Sequence, residues 1–392
     1  MTPAARVQAA ITILDSVIGA AKGQGAPADR ILAEWARANR YAGSKDRRAV
    51  RELVYGAIRA CGPVPDNGRS AMLRLAETDP SIAPLFDGSN YGPKPVSDGE
   101  RAAEGGAAPG WLSARLADSG VAGDAAEALL ERAPLDVRVN TLKGYRDGLD
   151  LPVESEPLGA LNALRLPQGT NVEQFDAYRE GQVEVQDHGS QIACMAVGAQ
   201  PGETVIDLCA GAGGKTLALA AAMRNEGTLV AADTDRGRLS RLGPRAERAG
   251  ARITETILLN PGREMEALEA WRGQADAVLV DAPCSGTGTW RRNPEARWRL
   301  TPEELERLTG LQSRLLELAA ELVKPGGRIV YVTCSLLDEE GPQRVADFLA
   351  NNGDWRALPL DLPLGDPRGD GVRLSPHATG TDGFFIAGIG RA

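Results

Sequence analysis

The second half of this 392-residue chain predicts an open α/β sheet of Rossmann type. Three observations carry that reading. Apolar strand-like runs alternate with helical stretches after Gly202, a turn of Gly211-Ala212-Gly213-Gly214 joins the first run to a helix, and Asp233 closes the second run 20 residues after Gly213. Strands alternating with helices imply parallel βαβ units, and such sheets take ligands at the carboxyl ends of their strands. Bare glycines let a nucleoside approach the backbone, and an acid some 20 residues on can hold its ribose.

Before this sheet, Val7, Ile11, Leu14 and Ile18 recur at helical spacing, as do Val50, Leu53, Val54 and Ile58, so residues 1–85 read as a helical module. The stretch 86–132 opens with a run rich in glycine and proline, expected to be a tether, and closes with short helices over 111–119 and 124–132. Residues 133–199, beginning with "LDVRVNTLK", read as a small α+β domain of the ferredoxin or RRM kind. Residues 200–392 then form the sheet domain. Its strands are expected at 204–208, 228–232, 252–258, 276–280 and 327–332, and its helices at 214–224, 236–249, 302–323 and 338–350.

A length of 392 residues allows two or three domains. The five cysteines, Cys61, Cys194, Cys209, Cys284 and Cys334, are too dispersed for a disulfide framework, and with two histidines they form no zinc-type ligand pairs, so no metal is expected. The apolar run at 9–21 is short, broken by Asp15 and without a charged leader, which predicts a cytoplasmic chain without membrane attachment. The net charge of -9 argues against nucleic acid. Two local clusters argue for it: "RANRYAGSKDRRAVR" at 37–51, containing Arg47 and Arg48, and "WRRNPEARWR" at 290–299, containing Arg291, Arg292, Arg297 and Trp298. Planar cations and indoles both stack on bases.

"GAGGKT" resembles a Walker A loop, but Cys209 stands where the first glycine belongs. Asp281, at the end of "AVLVD", has the form of a Walker B acid and keeps a nucleotide hydrolase open as an alternative. The thiols weigh the other way. Cys284 and Cys334 each follow a strand on the ligand edge, where a thiolate can attack an electron-poor ring carbon. These residues alone do not rank the two thiols.

Together "DLCAGAGGKT", "VDAPCSGTGTWRRNPEARWR", "KPGGRIVYVTCSLLDEE" and "DGFFIA" resemble the RsmB/Nop/Sun family of S-adenosylmethionine-dependent RNA cytosine-5 methyltransferases over about residues 130–392. The helical amino terminus is similar to the NusB-like RNA-binding domain of the bacterial RsmB-like branch. The resemblance implies a class I methyltransferase sheet acting on RNA, with small-subunit ribosomal RNA ahead of tRNA as substrate and a non-catalytic RNA-binding protein as a remoter alternative; the chain is expected to be a monomer. It implies Cys334 as nucleophile toward carbon 6 of cytosine and Cys284 as the thiol assisting release. Lys215 and Asp281 would hold the base, while Cys209, Ala210, Gly211, Ala212, Gly213, Gly214, Lys215, Asp233, Asn260 and Asp281 would line the cofactor site. Three positions depart from the family's pattern: Gly211-Ala212 replaces Ala-Pro, and Asn260 and His188 replace residues that are commonly acidic.

Overall fold

The computed structural model describes residues 1–23 and 25–391. Two compact units emerge, one of residues 1–131 with 289–301, the other of residues 132–288 with 302–392.

The first unit is helical, with helices Pro3–Lys22, Ala28–Ala38, Ser44–Ala60 and Gly68–Thr78. Pro3–Lys22 is apolar and long enough to cross a membrane by length alone. Here it is a core helix: Val7, Leu14 and Val17 are fully buried against a cluster that includes Val50, Val54 and Ile58. The glycine- and proline-rich stretch does not hang free as a tether. Phe86 is buried with the Arg69 guanidinium over its ring, Arg69 donates to the Lys94 and Pro95 carbonyls, and Ala103 N–H donates to Ser70 O at 2.9 Å. These bonds satisfy backbone that would otherwise need water.

The segment 289–301 belongs to the core of this same unit. Arg297 is fully buried and donates to the carbonyls of Ile58 at 2.7 Å and Cys61 at 2.8 Å. Trp298 Nε1 donates to Gly62 O, and Arg299 donates to Gly25 O and Ala26 O. The expectation that Arg297 and Trp298 stack on RNA therefore needs correction. Their polar groups are committed to turning backbone of the helical unit, and Arg291 is also buried. Arg47 and Arg48 differ, both being exposed on Ser44–Ala60.

In the second unit, β1 (Leu135–Val139), β2 (Glu156–Pro157), β3 (Ala163–Leu166) and β4 (Val183–Val185) form an antiparallel sheet in the order β2-β3-β1-β4. The large sheet contains β5 (Thr204–Asp207), β6 (Thr228–Asp233), β7 (Glu255–Leu258), β8 (Ala275–Asp281) and β9 (Val323–Thr333), followed by β10 (Trp355–Leu358), β11 (Asp366–Arg368), β12 (Gly371–Leu374) and β13 (Phe384–Arg391). Its order is β11-β12-β13-β9-β8-β5-β6-β7, with β10 paired to β13. The strands β7, β6, β5, β8 and β9 run parallel, and β13 returns antiparallel along β9. The expected Rossmann-like α/β sheet is thus present. Its central strands are apolar on both faces because helices cover both, and Val278, Val280 and Tyr331 are fully buried.

Candidate active site

Each of the central parallel strands carries a functional group off its carboxyl end. β5 ends at Asp207 and runs into the glycine loop, β6 ends at Asp233, β8 at Asp281 just before Cys284, and β9 at Thr333 just before Cys334.

The loop needs its glycines. Gly211 and Gly213 have φ of 54° and 87°, and a Cβ on Gly213 would stand 2.1 Å from Leu242 Cδ1. Asp233 is buried, and its two carboxylate oxygens accept from the Gly211 and Asp235 N–H groups, each at 2.7 Å. A carboxylate oriented by backbone donors beside bare loop backbone fits the ribose of an adenosyl group. Burial pushes the Cys209 thiol well up, so it stays neutral in the loop. Asn260 is exposed beyond β7, its amide oxygen facing Arg263 Nη2 at 2.7 Å.

Lys215, in the first turn of Gly214–Ala222, places Nζ 2.6 Å from Asp281 Oδ2 and 5.6 Å from the centre of the Phe384 ring. Burial opposes the ammonium, but the Asp281 carboxylate outweighs it, with further help from Cys194 and Cys334, and the lysine is held firmly charged. The two strand-end thiols meet: Cys284 Sγ and Cys334 Sγ are 3.3 Å apart. Contact with Cys334, then burial, pushes the Cys284 thiol well up. A charged lysine paired to an acid, beside two adjacent thiols, can orient an electron-poor ring and attack it.

The structure brings Cys284 to Cys334, Lys215 to Asp281, and Asp233 to the loop. It also accounts for His188. That side chain is buried, its Nε2 accepts the Ala160 N–H at 3.0 Å, and burial lowers its basicity, so it is a neutral packing residue. Residues that sequence reasoning missed are Phe384, beneath Lys215, and the polar groups behind the thiols, Ser285, Ser335, Gln312 and Glu340. Phe384 lies within the "DGFFIA" signature, whereas Gln312 sits mid-helix with no local signal.

A family model described as 16S rRNA methyltransferase RsmB/F matches residues 194–390. The ribosomal RNA small subunit methyltransferase B of Vibrio cholerae is 32% identical over 352 residues, covering 86% of this chain and 75% of the relative. A probable methyltransferase of the same name from Synechocystis is 35% identical over 273 residues, covering 66% of this chain and 60% of the relative. The chain spans 60% to 65% of the length of the first curated relatives it matches. The crystal structure of PH0851 superposes with a TM-score of 0.76 at 26% identity over 99% of each chain. On its paired strand-end thiols, its glycine loop and these matches, the chain belongs to the RsmB/F family of 16S rRNA methyltransferases.

Proposed function

We propose that this protein methylates carbon 5 of a cytosine in small-subunit ribosomal RNA, using S-adenosylmethionine and a covalent cysteine adduct. The observation that carries this reading is the 3.3 Å approach of Cys284 and Cys334 at the sheet edge that also holds Lys215 and Asp281. Residues 209–215 and Asp233 hold the cofactor, which when bound supplies an electrophilic methyl group. Asp281 and Lys215 grip the base. Cys334 adds through Sγ to carbon 6, and the displaced electron pair makes carbon 5 nucleophilic toward the methyl group that the bound cofactor would supply, leaving S-adenosylhomocysteine. Cys284 assists loss of the carbon 5 proton, the 5,6 double bond re-forms, and Cys334 leaves. Carbon 6 is inaccessible within stacked RNA, so the target is single-stranded or flipped out.

Exposed Arg47 and Arg48 on the helical unit suit backbone phosphates, and Arg292, half-buried, is a second contact. The substrate reading draws on the names of the relatives.

Two variants test the mechanism on small-subunit ribosomal RNA with radiolabelled methyl donor. Cys284→Ala accumulates a protein–RNA adduct resistant to denaturant, and Cys334→Ala forms neither adduct nor product. Methyl transfer by Cys334→Ala would overturn the assignment. In a thermal-shift comparison, S-adenosylhomocysteine raises Tm and ATP with magnesium does not.

A further inference from the structure

Behind the two thiols lies a buried polar cluster with one unusual member. Glu340 is fully buried, and no cation pairs with it among the described residues. Its Oε1 accepts from Ser285 N–H at 2.8 Å and Gln312 Nε2 at 2.9 Å, and its Oε2 accepts from Ser285 Oγ. Ser285 Oγ also lies 3.2 Å from Ser335 Oγ, which in turn is 3.1 Å from Thr287 Oγ1 and accepts from Leu337 N–H. Ser285 and Ser335 are the residues directly after Cys284 and Cys334. Gln312 also donates to Pro283 O, the residue before Cys284. Both cysteine loops are therefore tied to one carboxylate.

Burying a carboxylate without a paired cation is costly even when it is hydrogen-bonded, and an apolar residue of similar volume would pack at less expense. The cost is explicable if the charge has a use.

We propose that Glu340 is a positioning residue that makes the two thiols unequal: through Ser285 it holds the Cys284 loop against the Cys334 loop, and its negative charge bears on Cys284, leaving Cys334 as the better nucleophile. The proposal deepens the methyltransferase reading and rests on it. Titratable groups that interact with Cys284 include Cys334, Glu340 and the Tyr331 phenol. After contact with Cys334 and burial, the Glu340 charge adds to what keeps Cys284 protonated. Cys334, by contrast, interacts with the Lys215 ammonium. Glu340 thus reaches the Cys284 loop directly through Ser285, and the Cys334 loop one hydrogen bond further on through Ser335, an asymmetry that residue types alone did not supply.

The test is alkylation of the full-length protein with limiting iodoacetamide, followed by peptide mapping by mass spectrometry. It needs neither RNA nor cofactor, so failure of methyl transfer and failure of this proposal are separate results. In the unaltered protein Cys334 is labelled ahead of Cys284. Glu340→Gln, which keeps the shape and removes the charge, raises Cys284 labelling relative to Cys334 severalfold. Ser285→Ala keeps the charge and retains the original order. Equal labelling in the unaltered protein, an unchanged ratio in folded Glu340→Gln, or an inverted order in Ser285→Ala overturns the proposal, and the first and third readings stand even where Glu340→Gln does not fold.

Discussion

Asp207 ends β5 directly beneath the glycine loop, fully buried, with Thr216 Oγ1 donating to Oδ2 at 2.6 Å and no partner on Oδ1. Burial, against the Thr216 bond, raises its carboxyl from 3.8 to about 7. The folded protein therefore holds a proton at Asp207 that the unfolded chain gives up near pH 4. Stability from this group is fully present below the unfolded value and is lost as pH rises through about 7. At about 1.4 kcal/mol per unit, the loss across that window is roughly 4 kcal/mol. Urea denaturation at pH 5 and pH 8 should show a marked fall for the unaltered protein, and Asp207→Asn, which does not titrate, should flatten it. An equal fall in both proteins would sink the assignment.

At the scale of elements, the glycine loop is a joint between β5 and the helix Gly214–Ala222, closed from the side by the helix Leu242–Ala249. Gly213→Ala forces a side chain into left-handed backbone and into Leu242 together. The strain alone costs about 1–3 kcal/mol, and because Leu242 must move, the loop moves too. The expected outcome is a lower Tm and at least tenfold weaker binding of S-adenosylhomocysteine by calorimetry, whereas Gly243→Ala, with open space around its Cβ, leaves binding intact. Most of these elements were legible, because β5, β6, β8 and β9 are apolar runs long enough to stand out from the helices between them. Two boundaries differ from expectation for a visible reason. The helix expected over 236–249 breaks into Arg236–Leu239 and Leu242–Ala249, since Pro244 lacks an N–H and its ring would clash with the carbonyl four residues back, so it is tolerated only in a new first turn. Gly341-Pro342 delays the helix expected over 338–350 to Pro342–Asn351 in the same way, after a turn of 3-10 helix at Asp338–Glu340.

For the whole molecule, the feature that the sequence concealed is the path of the chain, which leaves the sheet unit after Gly288 and returns at Pro302. Strand-end thiols are legible because a parallel sheet places every carboxyl end on one edge. A ten-residue cluster of arginine and tryptophan carries no comparable rule, and its composition suits a nucleic-acid surface as well as a core plug. Partners decide between them, and here the partners are main-chain carbonyls 236 and 239 residues away in sequence. Burial lowers Arg297 to about 10, yet it remains charged at neutral pH and able to satisfy the carbonyls that end the helix Ser44–Ala60. Those carbonyls lie where a cation also complements the helix dipole. Arg297→Met fills similar volume but removes the guanidinium donor from the Ile58 and Cys61 oxygens, leaving Ile58 O only its long bond from Cys61 N–H, at about 1–3 kcal/mol for a buried group left unsatisfied. The full-length variant should lose several degrees in Tm and show faster proteolysis within residues 1–131, while S-adenosylhomocysteine affinity stays unchanged because the glycine loop and Asp233 lie in the other unit. Loss of RNA affinity with unaltered Tm and proteolysis would return Arg297 to the nucleic-acid surface on which its composition first placed it.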